Sequence, residues 1–201
     1  MNKVMALDIE TTNFSWEIGG WNNKNMFDTS VVATWDGNDA HIFCKEDITV
    51  GGAIVHPLHP QILGDHITKH IQEGGQILGH NIMGFDFPVL KESLDCWAIG
   101  DVMSKSENII DTKNLVAKAA IGNKVETSLQ SLSRCTLEMQ KSMSSIDAPT
   151  AWRNGKYNEV AEYCLKDSKL TFNLYMYGKD NGIIKSRSLE TGAIIEIPVE
   201  W

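Results

Sequence analysis

Residues 3–11, KVMALDIET, place a short apolar strand with two carboxylates near the start of the chain. Side chains alternate along a strand, so Val4, Ala6, Asp8 and Glu10 share one face while Met5, Leu7 and Ile9 take the other. Asp8 and Glu10 then stand about 6.5–7 Å apart, from the rise per residue. Two like charges on one face of a core strand are costly unless something neutralises them. A hard divalent cation held by oxygen ligands would do so. The alternative is an edge strand with both carboxylates in water.

The rest of the chain reads as the surroundings of such a strand. Val31–Trp35 and Ala40–Cys44 are two further strands, with Asp36-Gly37-Asn38-Asp39 as the turn between them. Residues 13–29, rich in Asn and Gly with scattered aromatics, read as an irregular insertion. His59–Glu73 has helical spacing, with Ile62, Leu63, His66, Ile67, His70 and Ile71 along one face. Gln76–Leu78 is a short strand ending in Gly79-His80-Asn81, a helix runs from about Phe87 to Leu94, and Ile109-Ile110 is another strand. Three helices follow near 112–121, 128–140 and 157–179, and residues 183–201 read as a hairpin-like tail turning at Glu190-Thr191-Gly192. The expected fold class is α/β: a mixed sheet flanked by helices in one domain over residues 1–201.

Two more places offer chemistry. In the last long helix the stripe Val160, Tyr163, Cys164, Asp167, Leu170, Thr171, Leu174 has helical spacing, with Asp167 in its middle. A carboxylate facing a core is paired or ligates a metal. Tyr163 lies one turn earlier on the same face; it is either a core aromatic or a phenol beside that carboxylate. The second place is GHNIMGFDFP, residues 79–88, where a strand ends and a helix begins. Asp86 is placed to be that helix's N-cap, and also lies where α/β sheets gather active sites. Asp111 precedes a helix and reads as a cap, outside the metal set.

LDIETT with Asp8 and Glu10, GHNIMGFDFPVL with Asp86, and YCLKDSKLTFNLY with Tyr163 and Asp167 together resemble the three motifs of the DEDD exonuclease superfamily. The Tyr-x-x-x-Asp spacing is similar to the tyrosine subclass, which includes polymerase proofreading domains. The histidine subclass would want a His at the position of Glu162. The segments Ile110-Asp111-Thr112 and Thr127–Leu132 also look like parts of such domains, so the resemblance spans roughly residues 3 to 180. The insertion at 13–29 and the tail after Gly182 depart from it, and no polymerase domain is expected within the chain.

The resemblance implies a ribonuclease H-like fold, the first three strands of its mixed sheet antiparallel and the later ones parallel, and a 3′–5′ exonuclease that releases nucleoside 5′-monophosphates. It implies two divalent metal ions, Mg²⁺ or Mn²⁺. Asp8 would bridge them, Glu10 and Asp167 would complete the water-activating site, Asp86 would hold the second, and Tyr163 would orient the attacking water. Thr11, Asn81 and Phe85 would contact the terminal nucleotide. Phe14, Trp16 and Trp21 would either stack on unpaired bases or pin the insertion down. Single-stranded DNA is the expected substrate, RNA remains open as an exoribonuclease reading, and a catalytically inactive nucleic-acid-binding module on the same fold is the third. A polymerase or helicase partner would act in trans.

Charge does not carry these readings. The formal net charge is -8, and an acidic protein gains little non-specific attraction to a polyanion, so local Lys or Arg residues or bound cations must supply the positive field. Cys44, Cys96, Cys135 and Cys164 form no CxxC pair and read as small buried hydrophobes. No signal peptide and no run of about 20 apolar residues is present, so a soluble, intracellular (cytoplasmic) protein without membrane association is expected.

Overall fold

A computed structural model describes residues 3–120, 122–139 and 146–201. In chain order its strands are β1 Val4–Thr11, β2 Thr29–Trp35, β3 Ala40–Cys44, β4 Ile54–Pro57, β5 Gln76–Gly79, β6 Ile109–Asp111, β7 Ile183–Arg187 and β8 Ile194–Pro198. The helices are α1 Pro60–Gln72, α2 Asp86–Glu92, α3 Trp97–Met103, α4 Thr112–Ala119, α5 Leu129–Leu137, α6 Ala148–Arg153 and α7 Tyr157–Asn181. Helices expected over 112–121 and 128–140 are thus α4 and α5; their expected last residues, 121 and 140, lie outside the described residues.

One mixed sheet has the order β4-β3-β2-β1-β5-β6. The first three strands are antiparallel, β5 and β6 continue parallel to β1, and helices flank both faces, consistent with a ribonuclease H-like fold. The sequence reading lacked β4, which pairs parallel to β3 at the other edge. It also lacked α3 and α6.

β1 lies inside the sheet, between β2 and β5, so the edge-strand alternative for Asp8 and Glu10 does not hold. Its alternation divides the core as expected. Met5, Leu7 and Ile9 pack with Leu63 and Ile67 of α1, Phe87 and Leu90 of α2 and Ile99 of α3. Val4 and Ala6 pack with Leu78, Ile110 and Tyr175 of α7 on the opposite face. Asp8 and Glu10 therefore point toward α7. The stripe on α7 meets them: Val160, Tyr163 and Cys164 pack with Val31, Ala33 and Ile42 of β2 and β3.

The tail forms the antiparallel hairpin β7–β8, as the turn residues suggested. Ile184, Ile197 and Val199 pack against Leu132 of α5 and Leu170 and Leu174 of α7, which braces the far half of the long helix. The four cysteines are buried and free, as read from the sequence. Among the described residues no helix is long and apolar enough to cross a membrane.

Candidate active site

Two hydrogen bonds fix how α7 meets the sheet. The Cys164 thiol donates to the Asp8 carbonyl at 3.3 Å, and the Ser168 hydroxyl donates to the Ala33 carbonyl at 3.0 Å. Ala33 is the residue paired with Asp8 across β1 and β2. These bonds flank Asp167 in sequence, so they set the rotation of the helix at that residue. On the sheet side, the β1–β2 register slips between Glu10 and Thr11. Such a bulge bends the strand and re-aims its side chains, a common device beside functional sites.

The result is a tight acidic group. Ligand oxygens of Asp8, Glu10 and Asp167 lie within 4.8 Å of one another. Glu10 and Asp167 are buried and Asp8 is half-buried. These three carboxylates could hold a metal ion. An oxygen-only donor set suits a hard divalent cation such as Mg²⁺ or Mn²⁺ better than a soft one.

Tyr163 is only 1% exposed, and its hydroxyl hydrogen-bonds the Asp167 carboxylate. Burial, and then the neighbouring charges of Asp167, Glu10 and Asp8, push this phenol far above its usual range. It therefore stays protonated. The same surroundings, burial first and then Asp8, Glu10 and Asp167, raise the Cys164 thiol, so this cysteine is an inert packing group behind the site.

Asp86 is buried and lines the same cleft, but it stands outside the tight group of three. It is the first residue of α2, and Phe85 occupies the N-cap. This corrects the expected capping role. Burial pushes its carboxyl up to about 7, against the pull of its own amide and the Ile9 amide, with Asp111 adding to the rise and Lys24 opposing it.

The loop before α2 is held from behind. Asp111 caps α4 by accepting from the Lys113 and Asn114 amides, as its position suggested. It also accepts from the Asn81 amide at 3.0 Å and the Met83 amide at 3.2 Å. Asn81 adopts a left-handed backbone with φ 70, a conformation Asn tolerates, and its Oδ1 accepts from the Lys113 ammonium at 3.3 Å. A Cβ on Gly79 would lie 2.4 Å from Cβ of Ile82, so only glycine lets the chain turn back this closely. His80, which the sequence reading passed over, is held by the Thr112 hydroxyl at 2.9 Å and the Thr127 carbonyl at 2.8 Å.

Of the expected nucleotide contacts, Asn81, Phe85 and Thr11 all line one cleft of about 250 Å³ with the carboxylates. The Thr11 hydroxyl donates to the Asn13 carbonyl at 3.0 Å, which ties β1 to the insertion. The insertion holds two short 3₁₀ turns, Ser15–Ile18 and Lys24–Met26, and brings Phe14, Trp16, Trp21 and Phe27 to the cleft. Phe85 meets Trp21 and Phe27 edge to face, with centroids 5.5 and 5.1 Å away. Arg153 of α6 was also missed. Its guanidinium grips both carboxylate oxygens of Glu17, a residue 136 positions away, so no local pattern could have joined them. Among the described residues, Lys24 lies 4.8 Å from the centre of the Phe85 ring and Lys113 bonds Asn81, which sets two cations against residues that line the cleft.

No protein-family model matches the chain, and no curated protein matches it.

Proposed function

We propose that this protein is a metal-dependent 3′–5′ exonuclease that hydrolyses single-stranded or frayed DNA to nucleoside 5′-monophosphates. The observation that carries the reading is the convergence of Asp8, Glu10 and Asp167 within 4.8 Å, inside a cleft that also contains Asp86 and Tyr163. The three converging residues would hold the first cation, and Asp86 would contribute to a second. Bound cations would supply charge to the scissile phosphate and acidify the attacking water. Tyr163 keeps its proton and donates a hydrogen bond with it to Asp167, so its hydroxyl stands beside that carboxylate where it would orient the attacking water. Asn81, Thr11 and Phe85 would seat the terminal nucleotide. Lys24 and Lys113 would offset the phosphate charge that an acidic protein otherwise repels.

Carboxylates from a strand and two helices around one narrow cleft favour a terminus splayed away from any partner strand. A duplex end would have to fray before entering, at a cost of a few kcal/mol per step. The test uses oligonucleotides labelled at the 5′ end: single-stranded DNA, blunt duplex, frayed duplex and RNA, with Mg²⁺ or Mn²⁺. A ladder shortening from the 3′ end, fastest on single-stranded DNA, is expected. Immediate release of the labelled 5′ nucleotide, or cutting of a closed circular strand, would require the proposal to be withdrawn.

A further inference from the structure

Two large aromatic rings lie open beside the carboxylates. Trp16 is 65% and Trp21 62% exposed, although both line the cleft. Neither is loose. Trp16 stacks on Phe14 with centroids 4.2 Å apart and planes 12° from parallel. The Arg153 guanidinium lies 5.3 Å from the centre of the Phe14 ring. Its Nη1 and Nη2 donate to Glu17 at 2.7 and 2.5 Å, and its Nε donates to the Thr12 carbonyl at 3.0 Å. Glu17 in turn accepts from the Phe14 amide at 2.8 Å. Arg153 thus ties the start of the insertion to α6. Trp21 is steadied separately, edge-on against Phe85 with planes at 74°.

Rigid, exposed aromatic faces bordering a cleft mark a binding surface, and one tied down by a bidentate ion pair is pre-organised for it. An aromatic face stacks on any base, so it selects for unpaired strands without selecting a sequence. A paired base in a duplex has its faces already covered. We propose that Trp16 and Trp21 are two stacking platforms for unpaired bases of a nucleic-acid strand entering the cleft, and that Arg153, through Glu17 and Phe14, is the positioning residue of the Trp16 platform. The inference rests on the proposed nuclease function for the strand's orientation, with its end at the carboxylates. Arg153 is committed to Glu17, so its contribution is alignment and not phosphate charge.

The full chain is titrated in EDTA with oligothymidylate, and separately with a blunt two-strand DNA duplex of equal length, while tryptophan fluorescence is followed. Oligothymidylate quenches the emission and the duplex does not. Trp16→Leu and Trp21→Leu keep apolar bulk but lose the ring, and each weakens oligothymidylate binding on the order of tenfold. With Mn²⁺ present, Arg153→Ala raises KM for oligothymidylate more than it lowers kcat, and Arg153→Lys, which keeps charge but not the fork, restores only part. If the Trp16→Leu/Trp21→Leu protein binds and degrades oligothymidylate like the wild type, the platforms are wrong while the nuclease function stands. If the wild type hydrolyses nothing with either metal, yet shows the quench and loses it in both variants, the platforms stand and the nuclease function falls.

Discussion

Replacing Asp167 by Asn should make the protein more stable without metal and less stable with it. The three carboxylates have ligand oxygens within 4.8 Å of one another, and unit charges at that spacing repel by about 3–4 kcal/mol per pair at an effective dielectric of about 20. Asn keeps the shape of the side chain and an acceptor for the Tyr163 hydroxyl, but removes two of the three repulsive pairs. Solvent screening and local relaxation relieve part of this repulsion, so about 1 kcal/mol of net gain, or about 2–4 °C in melting temperature, is a conservative expectation. A cation reverses the order. At a hundred times its dissociation constant it stabilises the wild type by about 2.7 kcal/mol, roughly 5–11 °C for a chain of this size. The variant has lost a ligand and gains little. The assay is a set of thermal melts in EDTA and in excess Mg²⁺ or Mn²⁺, for the wild type, Asp167→Asn, and Asp101→Asn as an exposed control on α3. Equal metal-induced shifts in the wild type and Asp167→Asn would show that the three carboxylates share no cation. An Asp167→Asn protein less stable than wild type in EDTA would refute the repulsion.

Asp8→Ala should lower oligonucleotide hydrolysis by at least ~10³-fold, because it removes a central donor of the acidic group; gel assays of the folded variant report this directly. Tyr163→Phe keeps the buried ring but loses the hydroxyl on Asp167. Turnover should fall about 10- to 10³-fold while the metal-induced rise in melting temperature is retained. Acid stability should depend on His66, whose imidazole burial holds at about 4, down from 6.5, with His41, His56 and His70 adding to the fall and Asp36 opposing it. The unfolded chain takes this proton first as pH drops, so the contribution is full above about 6.5 and is lost progressively toward about 4. Urea melts across that range should show a shallower acid limb for His66→Phe than for the wild type.

The parts of the site carried on regular elements were legible in the sequence. Period two in β1 assigned Asp8 and Glu10 to one face, and period 3.6 in α7 put Tyr163 and Asp167 on its buried stripe. What the sequence hid was either short or non-local. β4 has four residues, mostly half-exposed or exposed, and so lacks an alternating pattern. α3 has Cys96 at its N-cap with no side-chain cap, and α6 spans six residues with Pro149 near its start. Asp86 was rightly associated with the start of α2 but sits one position inside it, a distinction settled by the Phe85 backbone and not by residue type. The link between Arg153 and Glu17 has no local signature. The cluster of His41, His56 and His66 likewise joins β3, β4 and α1, and no spacing in the chain announces it.

The distribution of the acidic group along the chain bears on when the site comes into being. Asp8 and Glu10 are made first, and their strand can pair with β2 and β5 while the ribosome is still at work. Asp167 lies on a helix made much later, held to β1 and β2 by Cys164 and Ser168. Until that helix emerges and docks, the face of β1 that bears Asp8 and Glu10 lacks both its cover and its third donor. A nascent or truncated chain ending before α7 would therefore be a sheet without a complete cation site. Any activity that depends on the site therefore waits until α7 has been made and has docked.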